Sequence, residues 1–156
     1  MFDPLIQLGR KTVVAMVHVP ALPGSPDYEH TGGMNKLLHS VVADLEALQS
    51  GGVDAIMFGN EFDRPYVLKA PPEGLAALAS VIGQVKSMIK VPFGVNYLWD
   101  PVATVALAVA TEANFAREIY TGVYASDMGL WAPDCAGAAR LRASQGRSDL
   151  QMLFNI

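Results

Sequence analysis

A chain of 156 residues that is 51% hydrophobic and 17% charged is too apolar to stay disordered and long enough to bury the core of one domain. Its formal net charge of −4, with no run of Lys or Arg, argues against a nucleic-acid partner, because phosphate neutralisation needs clustered cations. The single cysteine, Cys135, excludes an internal disulfide and fits a reducing compartment.

At the N-terminus, Met1-Phe2-Asp3-Pro4-Leu5-Ile6 has an acid and a proline and no basic lead into an apolar run, so no signal peptide is expected and the location expected is cytoplasmic. Residues 12–19 form the first predicted strand, apolar almost throughout and carrying His18 near its end. A helix over 34–50 follows, with Leu37, Leu38, Val41, Val42, Leu45 and Leu48 on one stripe. Gly51-Gly52 ends it in the manner of a left-handed cap. The second strand, 53–60, runs into Asn60-Glu61, and a second helix covers 73–89. The third strand, 91–98, carries Asn96 and begins at Pro92, where a missing N–H is tolerated. Asp100-Pro101 opens a third helix over 101–111, with Asp100 read as its N-cap rather than as a catalyst. A fourth strand, 115–121, carries Arg117, Glu118 and Thr121. The small-residue segment Tyr124-Ala125-Ser126-Asp127-Met128-Gly129 reads as a loop able to close over a ligand through Asp127, or as an Asx-turn. A fourth helix, 133–144, includes Cys135 as a buried filler, and a fifth strand, 150–156, carries Asn155. The longest aliphatic stretch, 102–110, is about half the ~20 residues of a membrane span, so no transmembrane segment is expected.

The order β-α-β-α-β-α-β-α-β demands right-handed crossovers and a parallel sheet. A doubly wound sheet and an interrupted (β/α)8 TIM barrel both satisfy it. Three features favour the barrel. The strand-to-helix loops, 20–33 and 61–72, are long, whereas the helix-to-strand loops are short. Nothing follows the fifth strand to cover it. Five strands are also about what a chain of this length should hold of a ~250-residue barrel. The reading is therefore the N-terminal part of a single barrel domain, truncated after strand 5, with homo-oligomerisation expected to cover its open edges.

Polar residues gather where the strands end: His18, Asn60, Glu61, Asn96, Arg117, Glu118, Thr121 and Asn155. Such a ring at one end of a barrel is costly unless hydrogen-bonded, wet or bound to ligand, and it is how an active-site mouth reads. Glu118, Glu61 and His18 are the acid/base candidates. Asn60, Asn96, Arg117, Thr121, Asp127 and Asn155 are the candidates for binding a small polar ligand. The alternatives are a core histidine satisfied by a carbonyl, an Arg117–Glu118 salt bridge, and asparagines that tie neighbouring strand ends together. There is no P-loop, GxGxxG, HExxH, CxxC or nucleophile elbow, and whether a cofactor is used stays open. His18, His30 and His39 lack metal-ligand spacing, so no metal site is expected; His39 falls on a helix and is expected to be exposed.

Four segments together resemble the BtpA/SgcQ family. They are Val14-Ala15-Met16-Val17-His18-Val19-Pro20-Ala21-Leu22-Pro23-Gly24-Ser25-Pro26, Gly51-Gly52-Val53-Asp54-Ala55-Ile56-Met57-Phe58-Gly59-Asn60-Glu61, Val91-Pro92-Phe93-Gly94-Val95-Asn96 with Trp99-Asp100-Pro101, and Phe115-Ala116-Arg117-Glu118-Ile119-Tyr120-Thr121-Gly122-Val123-Tyr124-Ala125-Ser126-Asp127. Asn60-Glu61-Phe62, Trp99-Asp100-Pro101 and Leu153-Phe154-Asn155-Ile156 are closer to its SgcQ-like branch. The resemblance implies a (β/α)8 barrel similar to phosphate-binding barrels. It associates the photosynthetic branch with photosystem I biogenesis or stability. It places the SgcQ-like branch beside genes for sugar uptake by phosphotransfer and for sugar-phosphate metabolism. Members continue through three more strands beyond Ile156, and the phosphate cradle usual in such barrels follows strands seven and eight. The expected function is acid/base chemistry on a phosphorylated sugar or similar metabolite; the alternative is a non-enzymatic assembly factor for a membrane complex.

Overall fold

The computed structural model describes residues 11–155. The signal-peptide reading of residues 1–6, and Ile156 at the end of the fifth predicted strand, lie outside the described residues. In chain order the elements are β1 (Val14–His18), α1 (Gly33–Ser50), β2 (Ala55–Gly59), α2 (Pro72–Val85) with a 3-10 turn at Lys86–Met88, β3 (Phe93–Asn96), α3 (Pro101–Thr111), β4 (Phe115–Arg117), β5 (Tyr124–Ser126), β6 (Gly129–Trp131), α4 (Cys135–Ser144) and β7 (Gln151–Leu153). β1, β2, β3, β4 and β7 form a five-stranded sheet in that order, with every pair parallel. This is the alternating α/β order expected from the sequence, with one insertion. β5 and β6 pair antiparallel as a separate hairpin where a loop was expected, and Asp127 stands at its exposed tip.

The helices share one face of the sheet. Val17, Ile56, Phe58, Phe93, Val95 and Ala116 of the strands pack there against Leu37, Val41, Leu45, Leu78, Val81, Ile82 and Leu107 of the helices. Each such side chain taken fully from water contributes about 1.5–3 kcal/mol, so this face supplies most of the folding drive. Ala55, Met57 and Phe115, with Met16 and Leu153, cluster on the other face, against which no helix of the described residues packs. Alternation along each strand fixes this division, and it aims His18, Asn96 and Arg117 at the helix-free face.

Local signals end the elements where the site needs them. Asp100 accepts hydrogen bonds from the N–H groups of Val102 and Ala103, so α3 starts immediately after the β3 loop. Its second oxygen accepts from Ala70 N–H at 3.0 Å and anchors the loop before α2. Gly52, at φ +76°, turns the chain from α1 into β2 in the left-handed region. Gly94 has a packing reason: a Cβ there would run into the Phe115 ring, which rests on the bare backbone of β3.

Candidate functional site

The strand register lays the helix-free face out in rows. His18 pairs with Gly59, and Gly59 with Asn96. Arg117 pairs with Leu153, and carrying the β3–β4 register on by one residue sets Arg117 beside Asn96. This row crosses the carboxyl ends of the parallel strands, where α/β sheets place their ligands. Beneath it lie Met16, Met57 and Phe115. Together they line a cavity of about 440 Å³, with Val14, Glu61, Leu98 and Leu153 completing the wall. The floor is apolar and the rim polar, the usual make-up of a small-molecule site.

Each rim residue is held differently. The half-buried His18 ring meets Phe62 edge-on, with centroids 6.1 Å apart. Glu61 is half-buried, and Tyr66 donates its hydroxyl proton to the Glu61 carbonyl at 2.8 Å, which fixes the backbone under that carboxylate. Arg117 is exposed, and among the described residues its guanidinium makes no ion pair or hydrogen bond; the Arg117–Glu118 salt bridge weighed from the sequence does not form. Asn96 donates through Nδ2 to the Arg117 carbonyl at 2.7 Å and to Glu118 Oε2 at 2.7 Å. Glu118 is only 1% exposed and stands behind Asn96, outside the cavity lining. Burial pushes its carboxyl up to about 7, against the hydrogen bonds from the Ile119 N–H and Asn96 and the attraction of Arg117, which act the other way.

The remaining sequence candidates lie outside the cavity lining. Asn60 Oδ1 accepts from Leu98 N–H at 2.8 Å, and its Nδ2 donates to Asp63. By alternation Asn60 follows Ile56 and Phe58 toward the helix side, so it ties strand ends instead of meeting the cavity. Asn155 accepts from the N–H groups of Tyr120 and Thr121 and donates to the Thr121 carbonyl, joining the end of β7 to the loop after β4. Thr121 belongs to that tie. Asp127, at the hairpin tip, does not line the cavity. Cys135 is half-buried at the start of α4.

Two features had no clear sequence signal. Asp63 accepts from Leu22 N–H, from Asn60 and from the Tyr97 hydroxyl, so one carboxylate joins the loops after β1, β2 and β3. Its only hint was its position three residues after Asn60. The hairpin is fastened by aromatic rings: Trp131 stands edge-on to Trp99 at 5.3 Å, and Tyr124 tilts over Trp131 at 5.7 Å. Among the described residues no group of three or more His, Cys, Asp or Glu side chains is placed to hold a metal ion. No helix there is long and apolar enough to cross a membrane.

These features define an α/β protein with a five-stranded parallel sheet and a candidate ligand site at the strand ends. The chain belongs to the BtpA family, whose model matches residues 9–156. It is 51% identical over 146 residues to the putative sgc region protein SgcQ of Escherichia coli K12, covering 94% of this chain and 54% of that protein. It is 31% identical over 147 residues to the photosystem I biogenesis protein BtpA of Synechocystis, covering 92% of this chain and 50% of that one. The chain thus spans about half the length of these curated relatives. Among solved structures, the fold is similar to that of 7,8-dihydropteroate synthase from Vibrio fischeri, with a TM-score of 0.63 at 16% identity over 96% of this chain and 46% of that one. The Yersinia pestis dihydropteroate synthase gives a TM-score of 0.62 at 17% identity, again over 96% of this chain and 46% of that one.

Proposed function

We propose that this chain forms the first five strands of a (β/α)8 barrel whose strand-end cavity binds a small anionic metabolite of the sugar-phosphate class and transfers protons on it. The observation that carries this reading is the unpaired Arg117 guanidinium beside His18, Glu61 and Asn96 in one cavity. A lone cation over an apolar floor is suited to a phosphate or carboxylate, which Arg binds through a planar fork of donors. His18 and Glu61, both on the cavity wall, are the groups that exchange protons with the ligand. Glu118, whose carboxyl titrates near neutrality, stands one layer behind them. Sugar phosphates are the class to try first, as the resemblance to the SgcQ-like branch implies, and the proposal extends to a cytoplasmic location and a homo-oligomer.

The test is a thermal-shift and calorimetric screen of the intact protein against phosphorylated sugars. At least one should stabilise it, with Arg117→Ala weakening binding by roughly tenfold to a hundredfold, the value of a charge-assisted contact. His18→Ala and Glu61→Gln should keep binding and lose turnover. Equal binding by wild type and Arg117→Ala would remove the reading.

One observation favours a second reading, a non-enzymatic assembly factor. The hairpin exposes Leu130 at 75%, with Val123 just ahead of it at 66%, an apolar edge suited to a protein partner. Capture of a stoichiometric partner that is lost in Leu130→Asp and indifferent to Arg117→Ala would support it.

A further inference from the structure

We propose that Asn96 is the specificity-determining residue of the cavity: Glu118 and the Arg117 carbonyl hold its amide so that only its oxygen faces the ligand, and the ligand therefore carries a hydroxyl or amine donor beside its anionic group. The inference deepens the sugar-phosphate reading and rests on it for the anion.

The orientation of an asparagine amide is decided by its neighbours, and here the chemistry is unambiguous. A backbone carbonyl only accepts, so the atom 2.7 Å from the Arg117 oxygen is the nitrogen. The second hydrogen of that nitrogen goes to Glu118 Oε2, also at 2.7 Å. Both donors are thereby used on the protein. Asn96 Oδ1 accepts no hydrogen bond among the described residues, although the residue is only 2% exposed. That oxygen is not among the buried polar atoms left without a partner, and Asn96 lines the cavity, so the acceptor is open to a ligand there.

The space in front of that oxygen is kept open by Gly59, which sits between His18 and Asn96 in the register row. A Cβ on Gly59 would come within 3.8 Å of Asn96 Oδ1 and within 3.2 Å of the Met16 methyl, filling the approach. On the far side Glu118 has no oxygen to spare. Oε2 accepts from Asn96, and Oε1 accepts from the Ile119 N–H at 2.7 Å. Glu118 is thus a positioning residue that acts through Asn96. The cavity offers one fixed neutral acceptor from Asn96 and one free cation from Arg117, a pairing that matches a hydroxylated or aminated anion.

The experiment compares glycerol 3-phosphate with n-propyl phosphate by calorimetry on the intact protein. The two share the phosphate and the three-carbon chain and differ in the donors. Wild type should bind glycerol 3-phosphate about tenfold tighter, the value of one neutral hydrogen bond to a site that would otherwise be left unpaired. Asn96→Leu should abolish that preference, so that the variant binds the two phosphates alike. Glu118→Ala, which leaves the Arg117 carbonyl as the one acceptor holding the amide, should reduce the preference; Glu118→Gln, whose carbonyl can still accept from Asn96, should restore part of it. The side-chain amide protons of Asn96, followed by nitrogen-15 NMR, should exchange slowly in wild type and Glu118→Gln and rapidly in Glu118→Ala. This readout does not follow from a general loss of stability. Equal binding of the two phosphates by wild type, or a preference that survives Asn96→Leu, overturns the inference and leaves the anion reading standing. If neither phosphate binds wild type while the amide protons are protected, the anion reading fails and this ligand assignment fails with it.

Discussion

Moving a carboxyl group out of water costs hydration that two neutral N–H donors replace only in part, and Glu118 is that case. Its folded value of about 7 lies above the ordinary 4.5, so the native state holds the proton more tightly than the unfolded chain does. The stability this contributes is complete below about 4.5 and is lost as the pH rises to about 7. The loss is on the order of 3 kcal/mol. Glu118→Gln should flatten the fall in urea midpoint between pH 4.5 and 7.5, and a slope unchanged from wild type would contradict the account. Gly94 makes a second residue-scale case. Gly94→Ala drives a methyl into the Phe115 ring and should destabilise by about 1–3 kcal/mol in urea unfolding, as overpacking does. Glu118 and Asn96 were both visible in the sequence as polar residues at strand ends. Their division of labour was not, because it depends on which neighbour each side-chain atom meets across two strands.

At the scale of elements, the apolar runs and helical stripes marked every member of the main sheet and its helices. The hairpin was missed because β5 and β6 are three residues each and rich in small or exposed side chains, too short for a period-two pattern. What fixes it is tertiary: Trp131, largely buried, against Trp99 and Tyr124. Trp131→Ala should cost about 3 kcal/mol locally, within the range for large aromatic deletions. It should raise amide hydrogen exchange in the hairpin well before exchange rises in β2 or β3. Exchange that rises uniformly across the molecule would show that the hairpin is not a separate unit. Face assignment was legible where strands run straight: Val14, Met16 and His18 share the open face as alternation requires. It was not legible at Asn60, a strand-end residue grouped with the candidate mouth, whose amide is spent on Leu98 and Asp63.

For the molecule as a whole, the sheet puts its packing on one face and the candidate site on the other. The helix side holds the large apolar core, and the strand ends of the open face gather the cavity with Glu61, His18, Asn96 and Arg117. The likeness to dihydropteroate synthases agrees with the fold alone, and the ligand is left to be found by the site's own chemistry. The central claim is that this face binds an anion through Arg117. Its most direct test is a crystal structure of the intact protein with a phosphorylated sugar from the screen. The account predicts the phosphate on the Arg117 guanidinium and a ligand hydroxyl on Asn96 Oδ1, over the bare backbone of Gly59. A ligand seated away from this row, or a phosphate that leaves Arg117 untouched, would contradict it.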